Sequence, residues 1–332
     1  MKSVATPPSG GIWRASGTFL QKQGALVALI LLVIFASVRY DAFLTSVNIL
    51  NILKQNSMIG IVAIGMTFVI LMRGIDLSVG SLLALGGILA AMLSPYGLAA
   101  ALIVPVAVAA LLGCVNGLII ARMKIEPFIV TLAMMIGVRG VVYAVTKEKT
   151  RTVDDSLTDF FVTLGNGTFI GIPVPVWIFL VILAAAAFVL RFTRFGRNVY
   201  AIGGNEDATH LMGIRVDRMK IAVYTLSGAL SGFTGIVLAG RLGGAAQPVA
   251  GNMWELDAIA AVVIGGTLLV GGRGNVIGTF IGVMLLGMIL NIINQQGTLD
   301  SWWQPVIRGT FLLLIVIVQA QLMKRKQEQR RN

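Results

Sequence analysis

The amino-acid sequence predicts an all-α integral membrane protein, a polytopic bundle of about ten transmembrane helices with both termini cytoplasmic. Three observations carry this reading. The 332 residues are 57% hydrophobic and only 12% charged, against a charged share of about 25% in soluble domains. The apolar residues form runs of roughly twenty, the length a helix needs to cross the hydrocarbon. These runs do not alternate as barrel strands would. Lys and Arg, finally, gather on one side of the runs.

In chain order, residues 1–23 form a polar tail with scattered Lys and Arg. It lacks an apolar core followed by a small-residue cleavage site, so it is expected to be retained in the cytoplasm. The transmembrane domain is expected over 24–323. Its first span runs from Gly24 to Val38, and its second from Asn51 to Met72. The polar break Arg73-Gly-Ile-Asp76 leads into the third, Leu77 to Leu93. The fourth is Leu98 to Ala121, closed by Arg122-Met-Lys124, and the fifth is Pro127 to Thr146. A polar segment, 147–171, precedes the sixth span, Pro173 to Leu190. A basic, glycine-rich island fills 191–220. The seventh span is Ile221 to Gly240, and the eighth Leu256 to Val270. Gly271-Gly-Arg-Gly274 turns the chain into the ninth, Asn275 to Ile293. The tenth is Pro305 to Met323, before a basic tail over 324–332.

An even number of spans places both termini on one side. That side then holds Lys2, Arg14, Lys22, Arg73, Arg122, Lys124, the island's six Arg and Lys between 191 and 220, Arg273 and the basic tail. The other keeps Arg39, Lys54, Lys147, Lys149, Arg151 and Arg241, with Asp154, Asp155 and Asp159. The excess of positive charge marks the cytoplasmic side. The net charge of +12 is therefore a topology signal and not the mark of a nucleic-acid partner. One echo runs through the chain: Ile64-Gly-Met-Thr67 before Arg73-Gly74 resembles Ile264-Gly-Gly-Thr267 before Arg273-Gly274. A repeated half and chance similarity between glycine-rich helices account for it equally well.

Several chemistries are excluded. The single Cys114 and single His210 rule out an intrachain disulfide, a thiolate cluster and a multi-histidine zinc site. No phosphate-binding loop of the G-x-x-x-x-G-K-[ST] kind occurs, so the chain is expected to bind no ATP or other cofactor itself. No file of acids or histidines threads the spans, so the energy source should lie outside the polypeptide. Glycines four apart, Gly113 with Gly117, Gly228 with Gly232 and Gly278 with Gly282, point to close helix packing more than to a pore lining. Asp76 reads as a cap for the third span rather than an ion carrier. Arg139, inside the fifth span, should find a backbone carbonyl or snorkel. Glu255, Asp257 and Arg308 read as surface charge by default, with a polar vestibule as the other reading.

The island, flanked by membrane-length apolar runs, must be read by something in water. Its residues Phe195-Gly-Arg-Asn-Val-Tyr-Ala-Ile-Gly-Gly-Asn-Glu-Asp-Ala208 and His210-Leu-Met-Gly-Ile214 resemble the cytoplasmic coupling segment of ribose-type sugar ABC-transporter permeases. So do Gly65-Met-Thr67 through Gly74-Ile-Asp-Leu-Ser-Val-Gly80, Pro127 to Ala133 with Arg139-Gly140, and Glu255 to Thr267 with Gly271-Gly-Arg-Gly274. The resemblance covers nearly the whole chain beyond its first twenty residues or so and its tail.

It implies a multi-pass permease of the bacterial inner membrane that is not itself an enzyme. A second permease chain, identical or paralogous, completes the pathway. Two cytoplasmic subunits bind and hydrolyse ATP, and a periplasmic protein delivers the sugar. The island is then expected to form short helices in a groove of the ATPase. Gly196, Gly203, Gly204 and Gly213 would supply turns, and Arg197, Asn205 and Glu206 polar contacts. Thr67, Asp76, Asn116, Arg139 and Thr267 are the candidates for the translocation path. The outer segments 147–171 and 294–304 would receive the binding protein. The loop Gly297 to Trp303 is similar to permeases for furanose-form hexoses such as galactofuranose. The alternatives are a permease of the branched-chain amino-acid type and an ion-driven secondary transporter.

Overall fold

The structure, a computed structural model, describes residues 11–296 together with Trp303, Val306, Gly309, Thr310, Leu313 and Ile317. The expected tenth span and basic tail thus lie outside the continuously described residues, as do Arg308 and the loop from Gly297 to Trp302. Helix α1 covers Gly11–Arg39, so part of the expected polar tail is helical. It is followed by α2 (Ser46–Leu71), α3 (Val79–Leu93) and a 3-10 turn (Ser94–Tyr96). Next come α4 (Leu98–Met123), α5 (Pro127–Thr146), β1 (Arg151–Thr152), α6 (Asp155–Asn166), β2 (Thr168–Phe169) and β3 (Ile172–Pro173). The chain continues through α7 (Val174–Phe192), α8 (Arg194–Gly204), α9 (Glu206–Leu211) and α10 (Val216–Arg241). It then forms β4 (Ala245–Ala246), α11 (Trp254–Ile264) and α12 (Val276–Gln296). Among the described residues, seven helices are long and apolar enough to cross a membrane.

Similar hydropathy hides two different environments. In the most apolar 18-residue stretch of α2, 78% of residues are buried, against 22% in that of α4 and of α5. Helix α2 is apolar on every side because other helices surround it. The outward residues of α4, α5 and α7, among them Leu111, Ile136 and Val181, are exposed and fit a lipid surround. Helices α2, α3 and α10 form the interior, with α4, α5, α7 and α12 around them.

Where α4 crosses α10, the glycines expected to bring helices together do so. A Cβ on Gly113 would collide with the Tyr224 carbonyl, and one on Gly228 with the Ala109 carbonyl. The two backbones touch along a seam without side chains, the packing that small residues four apart permit in lipid.

The polar segment after α5 is structured. Asp154 caps α6, its Oδ1 accepting from the Ser156 amide at 3.0 Å and the Ser156 hydroxyl at 2.5 Å. These donors hold its carboxyl below the usual carboxylate range. Strand β1 pairs antiparallel with β4, Arg151 opposite Ala246. Helix α6 lies on the end of α10, where Gly165 and Gly240 leave room for the backbones to meet.

The eighth expected span departs from its reading. Helix α11 has 11 residues, about 16 Å at 1.5 Å per residue, half the hydrocarbon thickness. It stops in a Schellman motif: the Gly266 amide donates to Val263 O at 3.0 Å and the Thr267 amide to Val262 O at 3.2 Å. Gly266 takes the left-handed position between them, with φ +88°. A non-helical stretch then runs to the start of α12, with Gly271, Gly272 and Gly274 at positive φ.

Candidate functional site

The residues after α2 descend into the bundle before α3 begins. Asp76 is fully buried there. Its Oδ1 accepts from the Ser78 amide at 3.0 Å and the Ser78 hydroxyl at 2.6 Å. Its Oδ2 accepts from the Ser227 hydroxyl of α10 at 2.7 Å. Asn116 of α4 donates through Nδ2 to Ser78 Oγ at 3.0 Å. The Asp76 carboxylate therefore ties the start of α3 to α10, and the Ser78 hydroxyl ties it to α4. Ser78 holds the N-cap position of α3, so Asp76 braces the cap from two residues before it. Next to this group, the Asn116 carbonyl oxygen and the Tyr224 hydroxyl are buried with no hydrogen-bond partner among the described residues. The Tyr224 hydroxyl lies where a Cβ on Gly74 would be.

Glu255 and Asp257 are buried, which corrects their reading as surface charge. Glu255 sits over Gly80 in the first turn of α3, where a Cβ on Gly80 would meet its Oε2. An acid near a helix N-terminus faces the positive end of the helix dipole. Arg139 donates through Nη1 to Pro248 O and Ala250 O, both at 2.8 Å. It pins the loop before α11, as a charge inside a span must find acceptors.

Of the five path candidates, Asp76 and Asn116 meet through Ser78. The other three lie apart. The Thr67 hydroxyl is 2.7 Å from that of Thr279 and donates to Ala63 O. The Thr267 hydroxyl is buried against Gly274, without a hydrogen-bond partner among the described residues. Thr67, Asp76, Asn116 and Thr267 are each at 0% exposure, inside packed protein.

The island folds into two short helices. Thr193 caps α8 by accepting from the Gly196 amide at 3.2 Å, and Asn205 caps α9 by accepting from the Ala208 amide at 3.0 Å. The expectation that four glycines supply turns needs correction. Gly196, Gly203 and Gly204 are helical residues of α8, and of the four only Gly213 has a positive φ, +79°. Gly196 is needed for closeness: a Cβ there would strike the Val189 and Leu190 carbonyls. A Cβ on Gly204 would meet nothing within 4 Å. Arg197 is exposed and donates to Phe192 O at 3.3 Å. Glu206 pairs with Lys220 of α10 at 2.6 Å.

Gly203 marks a junction that the sequence did not reveal. A Cβ on Gly203 would overlap the Leu71 carbonyl at the end of α2. That carbonyl accepts the Gly272 amide at 2.9 Å. Arg73 reaches back to α8, donating through Nε to Gly203 O at 2.8 Å and through Nη2 to Gly204 O at 2.7 Å. Tyr200 donates its hydroxyl to Gly274 O at 2.8 Å. Burial raises the Tyr200 pKa. The end of α2, the turn before α12 and the island are thus held together, and both segments of the internal echo take part. Beside them opens a cavity of about 400 Å³ lined by Arg73, Lys124, Glu126, Glu206, Asp217 and Tyr224, among others.

A family model described as a branched-chain amino acid transport system / permease component matches residues 48–317. The ribose import permease of Haemophilus influenzae is 43% identical over 93% of this chain and 96% of the relative. The ribose import permease of Bacillus subtilis is 44% identical over 90% of this chain and 92% of the relative. The chain belongs to the ribose-type family of sugar ABC permeases. The xylose transport permease of Escherichia coli is 33% identical over 97% of both chains. No solved structure matches this permease. Both the buried cluster around Asp76 and the junction around Gly203 lie within the matched residues. Ser227 and Tyr224 were not singled out in the sequence, because Ser227 meets Asp76 from 151 residues away and Tyr224 reaches Gly74 only through the fold. The one visible signal was the pair of Arg-Gly turns.

Proposed function

We propose that this permease is the membrane-spanning subunit of an ATP-driven, binding-protein-dependent importer of a monosaccharide. The observation that carries the reading is its likeness, along nearly the whole chain, to permeases named for ribose import. Two copies, or this chain and a paralogue, form the pathway in a bacterial inner membrane. ATP is hydrolysed by separate subunits seated under the island, and the chain itself holds no cofactor. The residues proposed for that coupling surface are Gly196, Arg197, Gly203, Gly204, Asn205, Glu206 and Gly213. The cavity beside α9 and the caps that fix α8 and α9 support this use of the island.

Ten spans with both termini cytoplasmic fit the arrangement of charge. Arg73 and Lys220 lie at the island's end of the bundle, while Lys54 meets Asn166 of α6. Short α11 and the late start of α3 are the discontinuous helices that transporters place around a central site. The translocation path is proposed to open beside Asp76 and Asn116, with Thr67, Arg139 and Thr267 shaping its walls. The segment carrying α6 receives the binding protein.

Uptake of labelled monosaccharides and branched-chain amino acids into sealed vesicles tests the reading. The permease is co-reconstituted with its ATPase and binding protein. We expect ATP-dependent sugar uptake that needs all three components. Uptake of leucine instead would favour the family model's description. Uptake by the permease alone on an ion gradient would overturn the proposal.

A further inference from the structure

Arg73 occupies a backbone position that seldom suits it. Helix α2 closes in a Schellman motif, with the Arg73 amide on Ile70 O at 2.9 Å and the Gly74 amide on Val69 O at 3.0 Å. Arg73 is the left-handed residue of that motif, with φ +65°. Glycine fits there without steric cost, and a side chain does not. An outlier of this kind points toward a use for the side chain. Here the use is visible. The guanidinium donates to Gly203 O and Gly204 O, the two carbonyls that end α8. Helix-terminal carbonyls have no intrahelical partner and carry the negative end of the dipole, so a cation completes them. The contact is also close-fitting, because Gly203 leaves no space between α8 and the Leu71 carbonyl.

We infer that Arg73 is a positioning residue that transmits movement of the island into the bundle. It fastens the end of α8 to the end of α2, the most enclosed of the described spans, and the Leu71 carbonyl passes the link to Gly272 before α12. Displacing α8 then moves α2 and the α11–α12 turn as one body. A loose island would move alone. The inference rests on the reading of the island as the ATPase-coupling segment and assigns the route by which that coupling leaves it.

The test compares the wild-type complex with Arg73→Gln, Arg73→Lys and Tyr200→Phe in liposomes holding the ATPase and the loaded binding protein. Three quantities are read: ATPase subunit retained on the permease, ATP hydrolysed, and sugar imported per ATP. For Arg73→Gln we expect full retention and continued hydrolysis. Sugar per ATP should fall on the order of tenfold, the scale of losing hydrogen bonds from a charged donor. Arg73→Lys restores part of the ratio, since an ammonium keeps the charge but cannot fork to two carbonyls. Tyr200→Phe, which removes only the bond to Gly274, gives a smaller fall.

An unchanged ratio in Arg73→Gln with the ATPase retained overturns the inference. So does loss of the ATPase subunit from the Arg73 variants, which would make the arginine a docking or folding element. The underlying reading fails separately. Gly204→Cys, at a position with nothing within 4 Å of its Cβ, would then never cross-link to the ATPase in a Cys114→Ser background.

Discussion

Helices α2 and α11 end in the same hydrogen-bonded motif and differ in the residue at its left-handed position. In α11 that residue is Gly266, with nothing within 4 Å of where a Cβ would be. In α2 it is Arg73, whose side chain spans to the island. The α11 end is an inexpensive stop. The α2 end accepts roughly 1–2 kcal/mol of left-handed strain and carries a charge-assisted fork. The comparison teaches that one turn geometry can serve to end a helix or to attach something to it. The residue at one position decides which.

The largest expected effect comes from closing the gap that the fork bridges. Gly203→Val drives a branched side chain into the Leu71 carbonyl, and removal of α8 from its seat should abolish uptake and recovery of the ATPase subunit. Normal uptake in that variant would contradict the contact itself. A middle effect is expected for Gly266→Arg, which gives α11 the residue of α2 without a partner to bind. It should cost about 1 kcal/mol, read as a Tm lowered by a few degrees, with sugar per ATP unchanged. A fall in the ratio at equal protein would mean that the two helix ends are less distinct than their surroundings indicate.

The smallest effect belongs to the Lys220–Glu206 pair, which also ties the island to the bundle. Its side chains are 20% and 42% exposed, so solvent and salt screen it, and such pairs contribute at most about 1 kcal/mol. Lys220→Gln should leave sugar per ATP within about twofold of wild type, and the difference should vanish in high salt. A tenfold loss would move the principal attachment from α2 to α10.

Much of the fold was legible because membrane helices announce their limits. Helix α5 spans the expected residues, and α4 and α12 differ from them by a few positions. Each is a long apolar run stopped by Pro, Gly or charge. Helix α11 was overread for the same reason. Leu268, Leu269 and Val270 keep the run apolar after Gly265 and Gly266 have ended the helix, and hydropathy does not register φ. Glu255 and Asp257 were placed on the surface because charge usually lies there, and only the packing against α3 reveals otherwise.

The candidate site was legible residue by residue and not as an arrangement. Asp76, Asn116, Gly203 and Arg73 all stood out as polar or small groups in or beside spans. Their partners are encoded far away: 151 residues separate Asp76 from Ser227, and 130 separate Arg73 from Gly203. No local spacing announces such pairs. The glycines of the island were assigned to turns because turning is the commonest local use of glycine, whereas Gly196 and Gly203 are needed for nearness.

The seam between α4 and α10 has a consequence for inheritance. Every missense change of a glycine codon adds side-chain atoms, and at Gly113 and Gly228 those atoms would have to enter a neighbouring backbone. No gradual route of substitution leads away from such a position. The outward face of α4, where Leu111 and Ile103 are exposed, can exchange one apolar residue for another at little cost. Descendants of this gene should therefore accumulate changes on one side of α4 while the opposite side stays nearly silent, so that a single helix records both fast and slow lineages of residues.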